Sequence, residues 1–209
     1  MSIILSSAYL GPVQLYAHLY AAHHVTEDRG EHYVKQSYRN RCYIATPAGP
    51  QALTLPVERS GVAHAPMRDV RLSSHGNWQH LHFTALVSAY ENSPYFEYYA
   101  DDFRLLYEKS FTFLVDFNEA LQRTVLEALQ LTPAIDVSNN YVSQTEGATD
   151  LRTVISPKQP LSADVAFRPV RYYQVFEART GFLPNLSIAD LLFNMGPESR
   201  LVLKSSLHA

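Results

Sequence analysis

Residues 1–27, MSIILSSAYLGPVQLYAHLYAAHHVTE, decide the fold class. Ile3 to Ser7 is short and apolar and reads as a buried strand, ended by the turn at Gly11-Pro12. Proline suits the first helical position, because its missing N–H would go unpaired there and its φ is already set. A helix is expected from Pro12 to about Ala22, with Leu15, Leu19 and Ala22 on one face and Tyr16 and Tyr20 on a second apolar stripe. His23-His24-Val25-Thr26 leads into a second strand. Two short strands joined through a helix form a crossover, which pairs strands in parallel. The expectation is one α/β domain over residues 1–209: a mixed β-sheet with surrounding helices and a helix-rich second half.

Further along, Arg41 to Thr46 and Gln51 to Val57 read as a hairpin of the same sheet, turning at Pro47-Ala48-Gly49-Pro50. Pro56 suits an edge position, and Asp69 to Leu72 alternates like a further strand. Three helices follow. Asn77 would cap the first, through Trp78, Leu81, Ala85 and Ala89. Ser93-Pro94 opens the second, with Phe96, Tyr99, Phe103, Leu106 and Tyr107 at helical spacing, and Asp116 to Glu119 resembles a capping box for the third, running to about Leu131. Residues 136–169 lack periodicity, with turns at Ser138-Asn139-Asn140 and Glu146-Gly147 and prolines at 157, 160 and 169. They read as a long loop, a lid or a mobile insertion. Arg171 to Phe176 is strand-like, Ser187 to Asp190 is a capping box, Gly196-Pro197 ends that helix, and Glu198 to Ser206 is a final helix or strand.

Composition excludes several classes. The chain has 209 residues with 46% hydrophobic content, enough for a full core. A net charge of -3 argues against a broad nucleic-acid surface but allows a local basic pocket. One cysteine, Cys42, excludes an internal disulfide and a cysteine-based zinc site. The apolar start has no positive flank and is too short for a membrane span, so a cytoplasmic protein is expected by default. G-x-G-x-x-G, the P-loop and G-x-S-x-G are all absent, and no cofactor is called for. Oligomeric state stays open.

The densest chemistry lies in Tyr33-Val34-Lys35-Gln36-Ser37-Tyr38-Arg39-Asn40-Arg41-Cys42-Tyr43. If extended, this segment turns Lys35, Arg39 and Arg41 to one face. Arginine forks bind phosphate or carboxylate and lysine adds a point charge, so the group suits the anionic part of a nucleotide- or lipid-linked sugar, with Tyr38 and Asn40 orienting the sugar. The alternative is pairing with Glu27, Asp28, Glu31 or Asp69. His75, His80 and His82 invite a metal, but His80 and His82 lie about 200° apart on a helix, and the i, i+4 ligand spacing is missing, so no metal is expected. His80, or else His75, suits a general base, with a hydrogen-bonded boundary histidine as the alternative. Asn185, Ser187, Asp190 and Asn194 form a third polar set, in which Ser187 and Asp190 already serve the cap.

Several blocks resemble the WbqC-like family. Lys35 to Arg41 is similar to its K-x-x-y-x-N-R block, and Leu53-Thr54-Leu55-Pro56-Val57 to its L-t-v-P-V strand. Asn77-Trp78 with His80 and His82, then Ala89 to Phe96, resemble its W…h…aY…s-p-y-F segment. Leu114 to Asn118 is similar to its L-x-D-x-N block, and Ser187 to Gly196 to its S-i-x-D-l-l-x-N-x-G block. Ser7-Ala8-Tyr9 departs from the His-Gln-Pro that ends the first strand of longer members. The resemblance implies a role in O-antigen-type surface-polysaccharide biosynthesis, with aminoacyl or glycyl transfer to a sugar as the suggested activity. A non-catalytic ligand-binding or assembly protein of the same pathway is the alternative. The resemblance carries over no catalytic residues.

Overall fold

The computed structural model describes residues 1–58, 64–143 and 147–208. Strand β1 (Ser2–Ser6), helix α1 (Val13–Ala21) and strand β2 (His24–Asp28) form the expected crossover. β1 and β2 are parallel, with Ile3 opposite Val25 and Leu5 opposite Glu27. Strands β3 (Arg41–Thr46) and β4 (Gly49–Thr54) follow, then helices α2 (Trp78–Tyr90), α3 (Phe96–Glu108) and α4 (Leu114–Ala128). Strands β5 (Ile135–Ser138) and β6 (Ala148–Asp150) precede the single turn α5 (Glu177–Thr180) and helices α6 (Ile188–Met195) and α7 (Ser199–Ser205). Among the described residues no helix is long and apolar enough to cross a membrane.

The class is α/β, but the sheets divide differently from the expectation. A four-stranded sheet, in the order β5-β2-β1-β6, is parallel throughout, and β3 with β4 form a separate antiparallel pair. The places beside β2 and β1 are filled by β5 and β6, so the hairpin packs elsewhere. Its Ala45 N–H donates to the Tyr90 hydroxyl of α2, and its Tyr43 carbonyl accepts from Ser187 N. Alternation puts Ile3, Leu5, Val25, Glu27, Ile135 and Val137 on one face of the parallel sheet. Gln122, Arg123 and Leu126 of α4 share a cavity wall with Glu27, Ile135 and Val137, so α4 lies against that face near the β5 edge.

The long-loop reading of residues 136–169 is corrected: the segment holds most of β5 and all of β6. Runs of four and three residues are too short for an alternating pattern to decide, and their partners lie far away in sequence. Glu146, named in one of the turns, lies outside the described residues. Arg171 to Phe176 is not a strand: its Val175 N–H donates to Asn194 Oδ1, and its Tyr172 and Gln174 side chains donate to Asp190. Asp69 to Leu72 gives only the end of a 3-10 turn and isolated bridges, Leu72 to Val57 and Arg71 to Phe113. Asn77 makes no capping hydrogen bond, and α4 begins two residues before Asp116, which instead sits in the first turn where the helix dipole favours an acid. Ser187 does cap α6, accepting from Ala189 N at 3.2 Å. In the core, Phe193 of α6 meets the rings of Tyr90, Phe96 and Phe103 at 5.0–5.4 Å between centroids.

The carboxyl ends of the strands are stitched by Asp28, which is fully buried. Its Oδ1 accepts from Gly30 N at 2.9 Å and Glu31 N at 3.1 Å; its Oδ2 accepts from Val142 N at 3.1 Å and from the Arg152 guanidinium. This draws residues 139–142 across Gly30 so closely that a Cβ there would overlap the backbone of Asn140 and Tyr141. Gly30→Ala is expected to cost about 3 kcal/mol in urea unfolding, because backbone must move to make room. At Gly11 the added Cβ would meet only side chains, Leu15 and Ala8, at 3.2–3.3 Å, so Gly11→Ala should cost clearly less.

Candidate functional site

After β1 the chain moves to β2 and β5 on one side, then returns to place β6 on the other side of β1. In open α/β sheets the crevice beyond the strand ends at such a reversal is where ligands bind. A small cavity opens there, walled by Ser6, Ser7 and Ala8 from the end of β1, Tyr38 and Arg39 from the basic segment, and Leu151 and Ile155 from beyond β6. Its volume, about 10 Å³, is room for about one water. Ser6 Oγ is buried and has no hydrogen-bond partner among the described residues. Ser7 Oγ accepts from Asn118 Nδ2 at 3.2 Å, and the same amide donates to the Arg39 carbonyl at 2.9 Å.

The basic segment is not extended before Arg41. It turns through residues 35–40, with Gln36 at φ 56 and the Ser37 hydroxyl donating to the Val34 carbonyl at 2.6 Å. Its cations therefore separate. Lys35 is exposed. Arg39 is buried and grips Glu31 with two bonds, Nε to Oε1 at 2.9 Å and Nη2 to Oε2 at 2.5 Å. Arg41 donates Nε to Thr54 Oγ1 at 2.9 Å on the hairpin. Asn40 locks the hairpin to the turn, its Nδ2 donating to the Leu55 carbonyl at 2.9 Å. Tyr38 is half-buried, and burial pushes its phenol up to about 12.

The histidines lie elsewhere. His80 lines an open cleft of about 320 Å³ on α2 with Asn77, Gln79, Phe83, Tyr107 and Glu108, sharing no residue with the strand-end cavity. His75 is exposed ahead of α2. His82 is buried in the core, where its Nδ1 meets the Tyr9 hydroxyl at 2.8 Å and that hydroxyl meets Tyr107 at 2.6 Å. Burial pushes His82 down to about 4, despite its hydrogen bond to the Thr54 backbone. Among the described residues no group of three or more His, Cys, Asp or Glu side chains is placed to hold a metal ion.

Three features of the strand-end region escaped sequence reasoning. The amide groups at the start of α1, where glycine-loop folds take phosphate, are already occupied. Val13 N donates to the Leu186 carbonyl and Gln14 N to Asn185 Oδ1, both at 2.9 Å. Arg152, paired with both Asp28 and Asp150, lies in a segment read as loop and carried no signal. Its hydrogen bonds hold the Asp150 carboxyl below the usual range. Asn118 closes the L-x-D-x-N block, and that block was the one available pointer to it.

A model of the WbqC-like protein family matches residues 9–169. The chain belongs to the WbqC-like family. The matched span takes in β2 to β6 of this WbqC-like protein and the turn that walls the cavity; the block from Ser187 to Gly196 lies beyond it. An uncharacterised protein of Mycobacterium tuberculosis, Rv1507c, is 27% identical over 190 residues, covering 80% of this chain and 81% of its own. No solved structure matches the chain.

The Arg39–Glu31 pair is almost wholly shielded, so removing one partner strands the other. Arg39→Met is expected to lose about 3–5 kcal/mol of stability in urea unfolding, against about 0.5 kcal/mol or less for Arg41→Met. A pH test addresses the core. Burial pushes the Asp190 carboxyl up to about 6, although Tyr172, Tyr90 and Gln174 hold it by hydrogen bonds. Its contribution to stability is full below the ordinary carboxylate value of 3.8 and is lost as pH rises through about 6. His82 acts oppositely: its contribution is full above 6.5 and is lost as pH falls through about 4. The two oppose each other across the acid range. Asp190→Asn removes one, so its stability, read from urea midpoints between about pH 4 and 6.5, should rise with pH more steeply than that of the parent. Parallel profiles would contradict this.

Proposed function

We propose that this WbqC-like protein is a transferase of surface-polysaccharide assembly that moves an acyl or aminoacyl group onto a nucleotide- or lipid-linked sugar at the carboxyl edge of its parallel sheet. The observation that carries the proposal is the cavity at the strand reversal, lined by Ser6, Ser7, Tyr38 and Arg39. Ser6 Oγ, with no partner among the described residues, leaves a hydrogen-bonding group at a cavity that admits about one water, through which it can meet a ligand held outside. Tyr38 offers a ring wall with a polar tip. Lys35 and Arg41 draw the anionic part of the ligand electrostatically, and Asn40 holds the turn that presents Tyr38. Arg39 is a positioning residue: clamped by Glu31, it fixes the wall of the cavity. His80 and His75 stand apart from this cavity, so the proposal assigns them no step.

The non-catalytic reading has one observation in its favour. Both arginines near the cavity are engaged by acids, Arg39 by Glu31 and Arg152 by Asp28 and Asp150, and a transferase needs a group able to accept a proton from the attacking amine or hydroxyl. Native mass spectrometry separates the possibilities. Protein purified without added ligand is expected to retain a nucleotide- or lipid-linked sugar. Tyr38→Ala should lower the retained fraction, while His80→Ala should leave it unchanged. Consumption of the retained ligand when aminoacyl donors are added supports the transferase, and retention without consumption across the donors tried supports the binding protein. Equal retention by Tyr38→Ala and parent would remove the site.

A further inference from the structure

β2 carries an acid where its sheet face calls for an aliphatic side chain. Glu27 shares that face with Ile3, Leu5, Val25 and Ile135 and stands opposite Val137 in the register, only 4% exposed. Its carboxylate is engaged on one side: Arg29 Nε donates to Oε1 at 2.6 Å, and among the described residues no donor bonds Oε2. Glu119, the next acid of this network, has both oxygens taken, Oε2 by Arg29 at 3.0 Å and Oε1 by Arg123 at 2.8 Å. Burial pushes the Glu27 carboxyl above its ordinary value, and Arg29 offsets this only in part. Replacing a buried ion pair by apolar side chains of similar volume is often neutral or stabilising, so fold stability alone does not account for an acid here. A cavity does. Glu27 lines a space of about 260 Å³ bounded by α4, β5 and the chain joining them, and no residue of it belongs to the strand-end cavity.

We infer that this cavity binds a small organic cation, an ammonium group on an apolar body, with Glu27 as its counter-ion. The site is separate from the proposed substrate site and does not depend on it. Charge sets the sign of the ligand. Glu27, Glu119 and Glu127 line the cavity against Arg29 and Arg123, three carboxylates against two guanidiniums, so the charge left over is negative. An ammonium is a compact, donor-only group that can serve Glu27 Oε2 while Arg29 keeps Oε1. Among the described residues no group of three or more His, Cys, Asp or Glu side chains is placed to hold a metal ion, so the cation is organic. The remaining wall sets its body. Leu126, Leu131, Ile135 and Val137 offer apolar contact to a carbon chain. Ligand pockets commonly run about 300–1,000 Å³, and a space just below that range suits an alkylamine rather than a nucleotide.

The test is an amide NMR titration of the full chain at neutral pH and low ionic strength with n-butylammonium, using butanol and butyrate as its neutral and anionic counterparts. Butylammonium is expected to bind saturably with a Kd of about 1 mM or tighter and to shift the amides of residues 131–137. Butanol and butyrate should each bind at least about tenfold more weakly. Glu27→Gln keeps the size of the side chain and should weaken butylammonium about ten- to hundredfold, as for loss of a charge-assisted hydrogen bond. Val137→Trp narrows the cavity from its exposed side with a residue suited to strands, and should abolish binding with every charge in place. If Glu27→Gln does not fold, Val137→Trp decides: lost binding supports the site and unchanged binding overturns it. His80→Ala, in the cleft on α2, should leave the titration unchanged, as should Tyr38→Ala at the strand-end cavity, so the two sites stand or fall apart. No saturable binding of butylammonium, butyrate bound as tightly as butylammonium, or equal binding by the parent and both cavity variants overturns the inference.

Discussion

The buried carboxylate of Asp28 organises the carboxyl edge of the parallel sheet. It closes β2, accepts the amides of Gly30 and Glu31, and receives the Arg152 guanidinium and Val142 N–H from the chain beyond β5. A charge this deep is tolerable only when nearly every lone pair is engaged. The requirement is met by two distant segments, so the edge exists only when β1, β2, β5 and β6 are assembled. The same stitching holds Glu31 near Arg39, and Arg39 shapes the cavity. Stability and site are therefore coupled through one chain of buried charges.

The block from Ser187 to Gly196 serves the structure. Ser187 caps α6 and bonds the Leu10 carbonyl at 2.8 Å. Asp190 holds Tyr172 and Gln174, and Asn194 takes Val175 N. Gly196 passes under Tyr95 so tightly that a Cβ would lie 2.5 Å from the ring. Together these contacts seat residues 185–187 on the start of α1. Closing that helix end occupies the amides at which a strand-loop-helix unit usually takes an anion.

Much of the fold can be read along the chain. β1, α1 and β2 follow from a short apolar run, a Gly-Pro turn and helical spacing, and α2, α3 and α4 from longer periodic stretches. These are local signals, repeated over enough residues to mark the helices, although Leu81, expected on the apolar stripe of α2, is exposed and the buried face runs through Trp78, His82, Leu86 and Ala89. β5 and β6 are not local. Ile135-Asp136-Val137-Ser138 and Ala148-Thr149-Asp150 pair with the edges that β2 and β1 offer, and runs of four and three residues are too short to be told from loop by pattern alone.

The site divides the same way. Residue types alone marked the segment from Lys35 to Arg41 as the place where charge concentrates, with pairing to an acid as the alternative to ligand binding. Only the assembled chain decided which residue took which part. Arg39 turns inward to Glu31, because a guanidinium carried into the interior needs a carboxylate fork. Lys35 stays outside, at the turn through Gln36. The sequence by itself determined the class of fold and the chemistry available near the first crossover. Tertiary structure decided where that chemistry points, because burial, and the partner each buried charge must find, are properties of segments distant in the chain.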